Sequence, residues 1–557
     1  MLGLIGFSAF VLEALLATQL LTPSPTDRFQ PTRQVVDAVQ WARWSDADVL
    51  LLAPEAFLDA LEPWVAHREK QGHRIAVLTA ERLGGAALGA EGSDTTGFVA
   101  ALRQHARGLR YVFVVSDTPG RAAERTTAAV LSETRPKLDY WGDGWLHHQA
   151  FPSDDTLAVA GMTDGAVPDR PLAVGRLPAD TVDEVRGYVA KLLRYESGKA
   201  SGEWRRRAVV FTGPARYGAV ADALIETTAQ HVLDNVLPYD WDLRFTFGFP
   251  EHAYAVAPPD LGAKLVRDLS GGALIAGYVG HGLEHAFDHI AFRGEHYSIG
   301  SVEDVNRVHI EEGHPFFIAL TCLTGAFDRG EEHGLAEALV LNPHGAIAAF
   351  AATRTVHPYA NGLLAQALAQ VFFVGERPKT LGDGLLDVRR RAPGHRVPLL
   401  EMAYGFDVGV LLEEHKSLYH LLGDPLVRLQ YPQRLELTGS TPTVAPGAPF
   451  AVDVPAGAGA QLVITVETQR STIRGRVAPW AELVDLPLDA LRSAMAERYE
   501  AVMDKVVSRS TEMVVEGVSA RLALTAPSAP GRYAVKVYAT GKDGAAAGSW
   551  RFEVKAP

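Results

Sequence analysis

From residue 48 onward, short apolar runs alternate with stretches whose apolar residues recur at helical spacing. Val49-Leu50-Leu51-Leu52-Ala53 is a continuous apolar run, and Pro54 stands where a helix can begin. Phe57, Leu61, Trp64 and Val65 then recur every three to four residues until Gly72. Residues 75–78 are the next run. A second unit follows, with helical spacing through Phe98, Leu102 and His105 and a run over 111–115 that ends at Ser116-Asp117. Repeated strand–helix–strand units predict a mostly parallel sheet with helices on both faces. Asp117, at a strand tip, reads as a turn cap or a pocket residue.

An amphipathic helix is predicted over 181–197, and a strand over 208–213 opens a second half, with the join near Gly202. Two further strands, over 273–279 and 315–320, stop in the same way: the first at Gly280-His281-Gly282, the second at Thr321-Cys322-Leu323-Thr324-Gly325. Beyond Pro432 the pattern changes. Runs over 435–438, 450–454, 461–466, 521–525 and 533–538, separated by Pro and Gly turns, predict a β-sandwich. It is interrupted over 488–510, where Leu491, Met495, Tyr499 and Met503 at a spacing of four predict an inserted helix packed on the sandwich. A partner-binding or site-covering role is the alternative for that helix.

A chain of 557 residues is too long for one ordinary core, so two to four domains are expected. The formal net charge of −13 argues against a nucleic-acid surface, and neither Arg205-Arg206-Arg207 nor Arg389-Arg390-Arg391 is long enough to restore one. A single cysteine excludes an intramolecular disulfide framework. Residues 2–21 are almost wholly apolar and long enough to span a bilayer, although Glu13 interrupts them. They read as a membrane anchor or atypical signal, a helix docked on the fold, or a mis-assigned start. A membrane-associated or extracytoplasmic location is favoured over a cytoplasmic one.

Candidate chemistry lies at the two strand tips. Loops at the carboxyl ends of parallel strands open onto ligand crevices, and neighbouring strands lie about 5 Å apart, so His281 and Cys322 would share one rim. A thiol with an ordinary pKa of about 8.5 needs a base to become a nucleophile, and His281 can supply it. In that reading Cys322 attacks a carbonyl, His281 moves the proton to the leaving amine, and the N–H groups of Gly282 and Cys322 hold the oxyanion. A buried, inert thiol beside a turn histidine fits the same spacing, which leaves both open.

A metal offers another use of the region. His281, His285 and His289 recur every four residues, and His281-Gly282-Leu283-Glu284-His285 has the spacing of an inverted zinc motif. Such a motif needs a helix, whereas the glycines place His281 in a turn with a helix starting after it. Asp139, Asp143, Asp154 and Asp155 lie in an irregular acidic stretch. They would suit a structural calcium ion, or are solvated turn acids.

Tyr278-Val279-Gly280-His281-Gly282, Thr321-Cys322-Leu323-Thr324-Gly325-Ala326-Phe327, Gly334-Leu335-Ala336-Glu337-Ala338 and Gly345-Ala346-Ile347-Ala348-Ala349 together resemble the core of the gingipain family of cysteine peptidases. Ala173-Val174-Gly175-Arg176-Leu177-Pro178 and Leu421-Leu422-Gly423-Asp424-Pro425 bracket that core. The resemblance implies a caspase-like α/β fold with two sheet subdomains, followed by an immunoglobulin-like sandwich. It also implies an endopeptidase acting through His281, Cys322 and a thioester acyl-enzyme on a protein or peptide substrate. No cofactor is required for that chemistry, and the family's calcium-binding members leave a structural calcium open. The same resemblance admits a sorting transpeptidase; a silent binding protein of peptidase fold is the third possibility. Asp288, Asp328 and Glu331, near the motifs, are candidates for a pocket that takes a basic substrate residue. The expected division is 1–45 as apolar segment and linker, 46–201 and 202–432 as the two α/β subdomains, and 433–557 as the sandwich.

Overall fold

The computed structural model describes residues 45–83, 99, 103–118, 133–137, 150–159, 171–198, 202–214, 232–328, 332–401, 407–475, 477–542 and 544–555. The apolar segment 2–21 lies outside the described residues. Among those described, no helix is long and apolar enough to cross a membrane.

The first half supplies β1 (Val49–Ala53), β2 (Ile75–Thr79), β3 (Tyr111–Val115), the hairpin β4 (Glu133–Pro136) and β5 (Ala150–Ser153), and β6 (Ala173–Leu177). The second supplies β7 (Arg207–Thr212), β8 (Asp242–Phe247), β9 (Ile275–Val279), the hairpin β10 (His289–Phe292) and β11 (Glu295–Ser298), β12 (Phe316–Leu320), β13 (Ala348–Ala352) and β14 (Tyr419–Leu422). Apart from the two hairpins, these strands form one ten-stranded sheet in the order β2-β1-β3-β6-β14-β13-β12-β9-β7-β8. Most neighbours are parallel; β14 is antiparallel to β13. Every residue of β1, β3, β12 and β13 is buried. Continuous burial is what a parallel sheet covered by helices on both faces demands, and it is why these strands read as unbroken apolar runs.

The two expected halves are therefore fused edge to edge, and β14 is the seam, with its Leu422 paired to Arg176 of β6. Two first-half helices, Leu58–Lys70 and Val182–Ser197, grip the end of that strand. Thr181 caps the second: its hydroxyl accepts the Glu184 N–H at 3.2 Å while the Glu184 carboxylate accepts the Thr181 N–H at 2.9 Å. The fully buried Asp424 carboxylate accepts Trp64 Nε1 at 2.5 Å and Arg68 Nη2 at 2.6 Å, and its backbone N–H donates to the Tyr188 hydroxyl at 2.8 Å. Arg68, also fully buried, reaches Glu196 with its other nitrogen at 2.7 Å. Burial pushes the Glu196 carboxyl up, but His67, Arg68 and Gln71 outweigh it and hold it at about 2.

The C-terminal unit contains β15 (Gln433–Arg434), β16 (Thr438–Gly439), β17 (Thr443–Val444), β18 (Pro449–Val454), β19 (Gln461–Thr468), β20 (Val506–Met513), β21 (Ala520–Thr525), β22 (Gly531–Gly541) and β23 (Gly544–Val554). They form a six-stranded and a three-stranded sheet around a core that includes Val452, Val454, Ile464, Val466, Val535 and Val537. The inserted helix departs from expectation twice. It spans Leu488–Met503 and not 488–510, because residues 506–513 pair with β19 as a strand. Nor does it pack on the sandwich: Leu491 and Met495 bury against Ala255, Ala257 and Phe292 of the α/β unit.

Asp424→Ala leaves buried Arg68 with Glu196 as its one remaining carboxylate partner and Trp64 Nε1 without its acceptor, and is expected to cost about 3–5 kcal/mol in chemical denaturation. The depressed Glu196 carboxyl adds a pH signature. Its stabilisation is complete above the ordinary value of about 4.3 and is lost as pH falls toward 2, so Glu196→Gln should flatten the stability curve over that window.

Candidate active site

β9 and β12 are parallel neighbours in register, with Val279 opposite Leu320. His281 and Cys322 each stand two residues beyond that last pair, so the two loops leave the sheet side by side. The Gly280 N–H still donates to the Leu320 carbonyl at 3.4 Å. Glycine shapes the histidine loop at two positions, and Gly282 makes its approach to the cysteine loop possible. At Gly280, φ is +155° and an added Cβ would lie 2.6 Å from the Tyr278 hydroxyl; at Gly282 it would lie 2.3 Å from Thr321 Oγ1 and 3.0 Å from the Cys322 carbonyl oxygen. The histidine loop and the cysteine loop are thus in van der Waals contact through glycine.

Each loop is held from behind. Tyr278, buried in β9, donates its hydroxyl to the His281 carbonyl at 2.9 Å and stacks on Phe287 at 3.9 Å between ring centres. On the other side Leu323 adopts φ +61°, and the Thr324 N–H donates to the Cys322 carbonyl at 2.7 Å across it, which closes a γ-turn. A leucine rarely occupies that region, and such strain persists only where surrounding bonds enforce it. Here they do, since Leu323 N–H donates to Arg354 O at 3.3 Å and Gly325 N–H to Ala352 O at 2.9 Å.

Cys322 is partly buried, and its Sγ accepts the Val356 N–H at 3.4 Å. Burial pushes the thiol up; the Val356 N–H and the Lys137 ammonium pull it down, and burial wins. Lys137 is itself buried and paired with Glu414 at 2.5 Å. A thiol raised in this way keeps its proton at neutral pH. A preformed thiolate–imidazolium pair would instead lower it.

The acids singled out from the sequence are mostly engaged. Asp328 is gripped bidentately by Arg354 at 2.9 and 2.6 Å. The Asp288 carboxylate accepts the His289 N–H at 2.7 Å at the start of β10. Asp154 pairs with Arg176 at 2.7 and 2.8 Å, and Asp155 with Arg389 at 2.7 Å. Glu331, Asp139 and Asp143 lie outside the described residues. No helix follows His281. A turn closed by Leu283 N–H to Ala286 O leads into β10, where His289 lies, so His281, His285 and His289 do not share a helical face. Among the described residues no three His, Cys, Asp or Glu side chains are grouped to hold a metal. Val356, Arg354 and the Lys137–Glu414 pair shape the site without any sequence signal, since each acts through a contact more than twenty residues away in the chain.

A sheet of this order, with a cysteine and a histidine on adjacent loops at its rim, belongs to the caspase-like class of cysteine peptidases. The chain belongs to peptidase family C25, the gingipain family, whose model matches residues 42–430. The crystal structure of the Arg-specific cysteine proteinase gingipain R (RgpB) shares the fold, with a TM-score of 0.50 and 14% identity over 92% of this chain and 98% of that one. The complex of Porphyromonas gingivalis RgpB pro- and mature domains matches over 92% and 100% of the two chains at 15% identity, TM-score 0.47. Dimeric latent PorU from P. gingivalis matches over 92% of this chain and 43% of that one at 14% identity, TM-score 0.35. No curated protein sequence matches the chain.

Because burial raises the Cys322 thiol, iodoacetamide should label the free protein at this single site with a pH midpoint above about 8.5. A midpoint below 7, measured by mass spectrometry of the alkylated peptide, would show a preformed thiolate.

Proposed function

We propose that the protein is a cysteine endopeptidase in which Cys322 is the nucleophile and His281 the general acid and base. The observation that carries this is the in-register pairing of Val279 with Leu320, which sends the two loops off the sheet together, in contact at Gly282. Since the thiol rests protonated, the first step draws its proton to His281 as sulfur attacks the substrate carbonyl carbon. The C–S bond forms, the carbonyl electrons move to oxygen, and N–H groups of Gly282 and Cys322 receive that charge. The imidazolium then returns the proton to the leaving amine as the C–N bond breaks, which leaves a thioester on Cys322. Water, deprotonated by His281, releases the acid and restores the thiol. An added amine competing for the thioester would yield transfer product from the same intermediate.

Cys322→Ala should abolish cleavage of a peptide library while leaving the melting temperature nearly unchanged. His281→Ala should lower kcat/KM by about 10²–10⁴-fold. Cleavage by the Cys322→Ala protein at the wild-type rate would rule the assignment out. Since thiol and imidazole account for every proton moved, a zinc chelator is expected to leave kcat intact, and restoration of a lost rate by Zn²⁺ alone would contradict this mechanism.

A further inference from the structure

The insertion between β19 and β20 reaches out of the sandwich and closes on the hairpin that follows the His281 loop. That hairpin, β10 and β11, pairs with no strand of the main sheet. Isolated two-stranded hairpins are marginal in water, so this one needs external support. Its turn residues, Arg293 and Gly294, both have left-handed φ (+52° and +84°), the requirement of a two-residue turn that follows strand twist. The Arg293 guanidinium reaches into the insertion and donates to the carbonyls of Val484 at 2.7 Å and Leu486 at 2.5 Å. Beside it Phe292 is buried with Leu483, Leu491 and Met495, its ring 6.1 Å from that of Trp480.

The insertion is anchored at other points of the α/β unit. Arg492 forms a bidentate pair with Asp260 just before the helix Leu261–Ser270, and Tyr499 accepts the Thr246 hydroxyl at 3.3 Å under the Lys264 ammonium, 4.3 Å from the ring centre. Buried Arg470 donates to the carbonyls of Leu237 and Pro238 at 2.8 and 2.6 Å. At its other end the hairpin grades into the catalytic loop without a break. Gly282 bridges Phe287, Phe287 N–H donates to Gly300 O at 2.8 Å, and Phe287 stacks on Tyr278, whose hydroxyl holds the His281 carbonyl.

We propose that residues 478–503 of the C-terminal unit position His281 for catalysis, acting through Arg293 and the hairpin. Arg293 is a positioning residue: it touches neither sulfur nor imidazole. The inference rests on the assignment of His281 as acid and base.

The test compares wild type, Arg293→Ala and Arg293→Lys by steady-state kinetics and by hydrogen exchange of the intact protein. Arg293 is exposed, so the variants should fold. In Arg293→Ala, kcat should fall about tenfold with KM within twofold, and amides of residues 282–300 should exchange faster while those of β19 and β22 do not. Arg293→Lys, which still reaches a carbonyl, should recover most of both. Unchanged hairpin exchange in Arg293→Ala would overturn the clamp and leave the Cys322–His281 chemistry standing. Faster hairpin exchange with unchanged kcat would equally overturn it, because the hairpin would then not govern His281. Loss of the general-base role itself would appear as His281→Ala retaining wild-type kcat/KM, and that result removes this inference too.

Discussion

The Asp424 carboxylate, buried with Trp64 and Arg68 around it, is the contact on which the architecture turns. β14 joins the two halves of the sheet, between β6 and β13, and Asp424 follows it by two residues. Taking a guanidinium and a carboxylate out of water is costly, and their attraction repays that only when the remaining donors and acceptors are satisfied. Here they are: Arg68 divides its nitrogens between Asp424 and Glu196, and Asp424 also accepts the Leu426 N–H at 2.8 Å. An apolar substitute could fill the volume, but it would not dictate where the end of β14 docks. Through Arg68 and Tyr188, Asp424 ties the end of β14 to both first-half helices.

At the rim where β9 and β12 end, precision is obtained by removing side chains and by enforcing strain. Gly282 lets two loops approach to a distance that a Cβ would block, and the γ-turn at Leu323 fixes the direction in which Cys322 leaves the sheet. Neither device stabilises the fold. The γ-turn is overdetermined by bonds from β13 and its extension, which is how a stable scaffold maintains a local conformation that would not persist alone. The same burial raises the Cys322 thiol, so on the proposed assignment of His281 as its base, the support behind that histidine through Tyr278 and Phe287 bears on rate.

Much of this was legible from residues 46–432. β1, β3 and β12 are unbroken runs dominated by Val, Leu and Phe, β9 is a continuous apolar run ending at Gly280, and the helix Val182–Ser197 shows in its amphipathic spacing. β13 and β23 were not legible as strands. Ala348-Ala349-Phe350-Ala351-Ala352 and Ala545-Ala546-Ala547-Gly548 have little intrinsic strand preference and become strands because a neighbour pairs with them. The end of the inserted helix was misplaced for the same reason: residues 504–510 continue a helical pattern, but pairing with β19 overrides it. His281 stands out in the sequence because glycines flank it at a strand end, and Cys322 because it is the one cysteine and also follows a strand end. Val356 and Lys137 were not, since a backbone N–H and a lysine 185 residues before it carry no local mark of what they will face.

Charge was the least legible property. Acids crowd the motifs, and a sum over the sequence suggests a strongly negative rim. The structure removes much of that charge. Asp328 is paired with Arg354, Asp154 with Arg176 and Asp155 with Arg389, while Glu337 is buried completely enough, near Asp117, Asp180 and Asp328, that its carboxyl is pushed well above the usual carboxylate range. Glu337 accepts the Gly334 N–H at 2.6 Å and so serves the start of the helix Leu335–Leu341. The field at the rim is thus set by which acids are paired, and those partners lie from about twenty residues away, as for Asp154 and Asp328, to more than two hundred, as for Asp155.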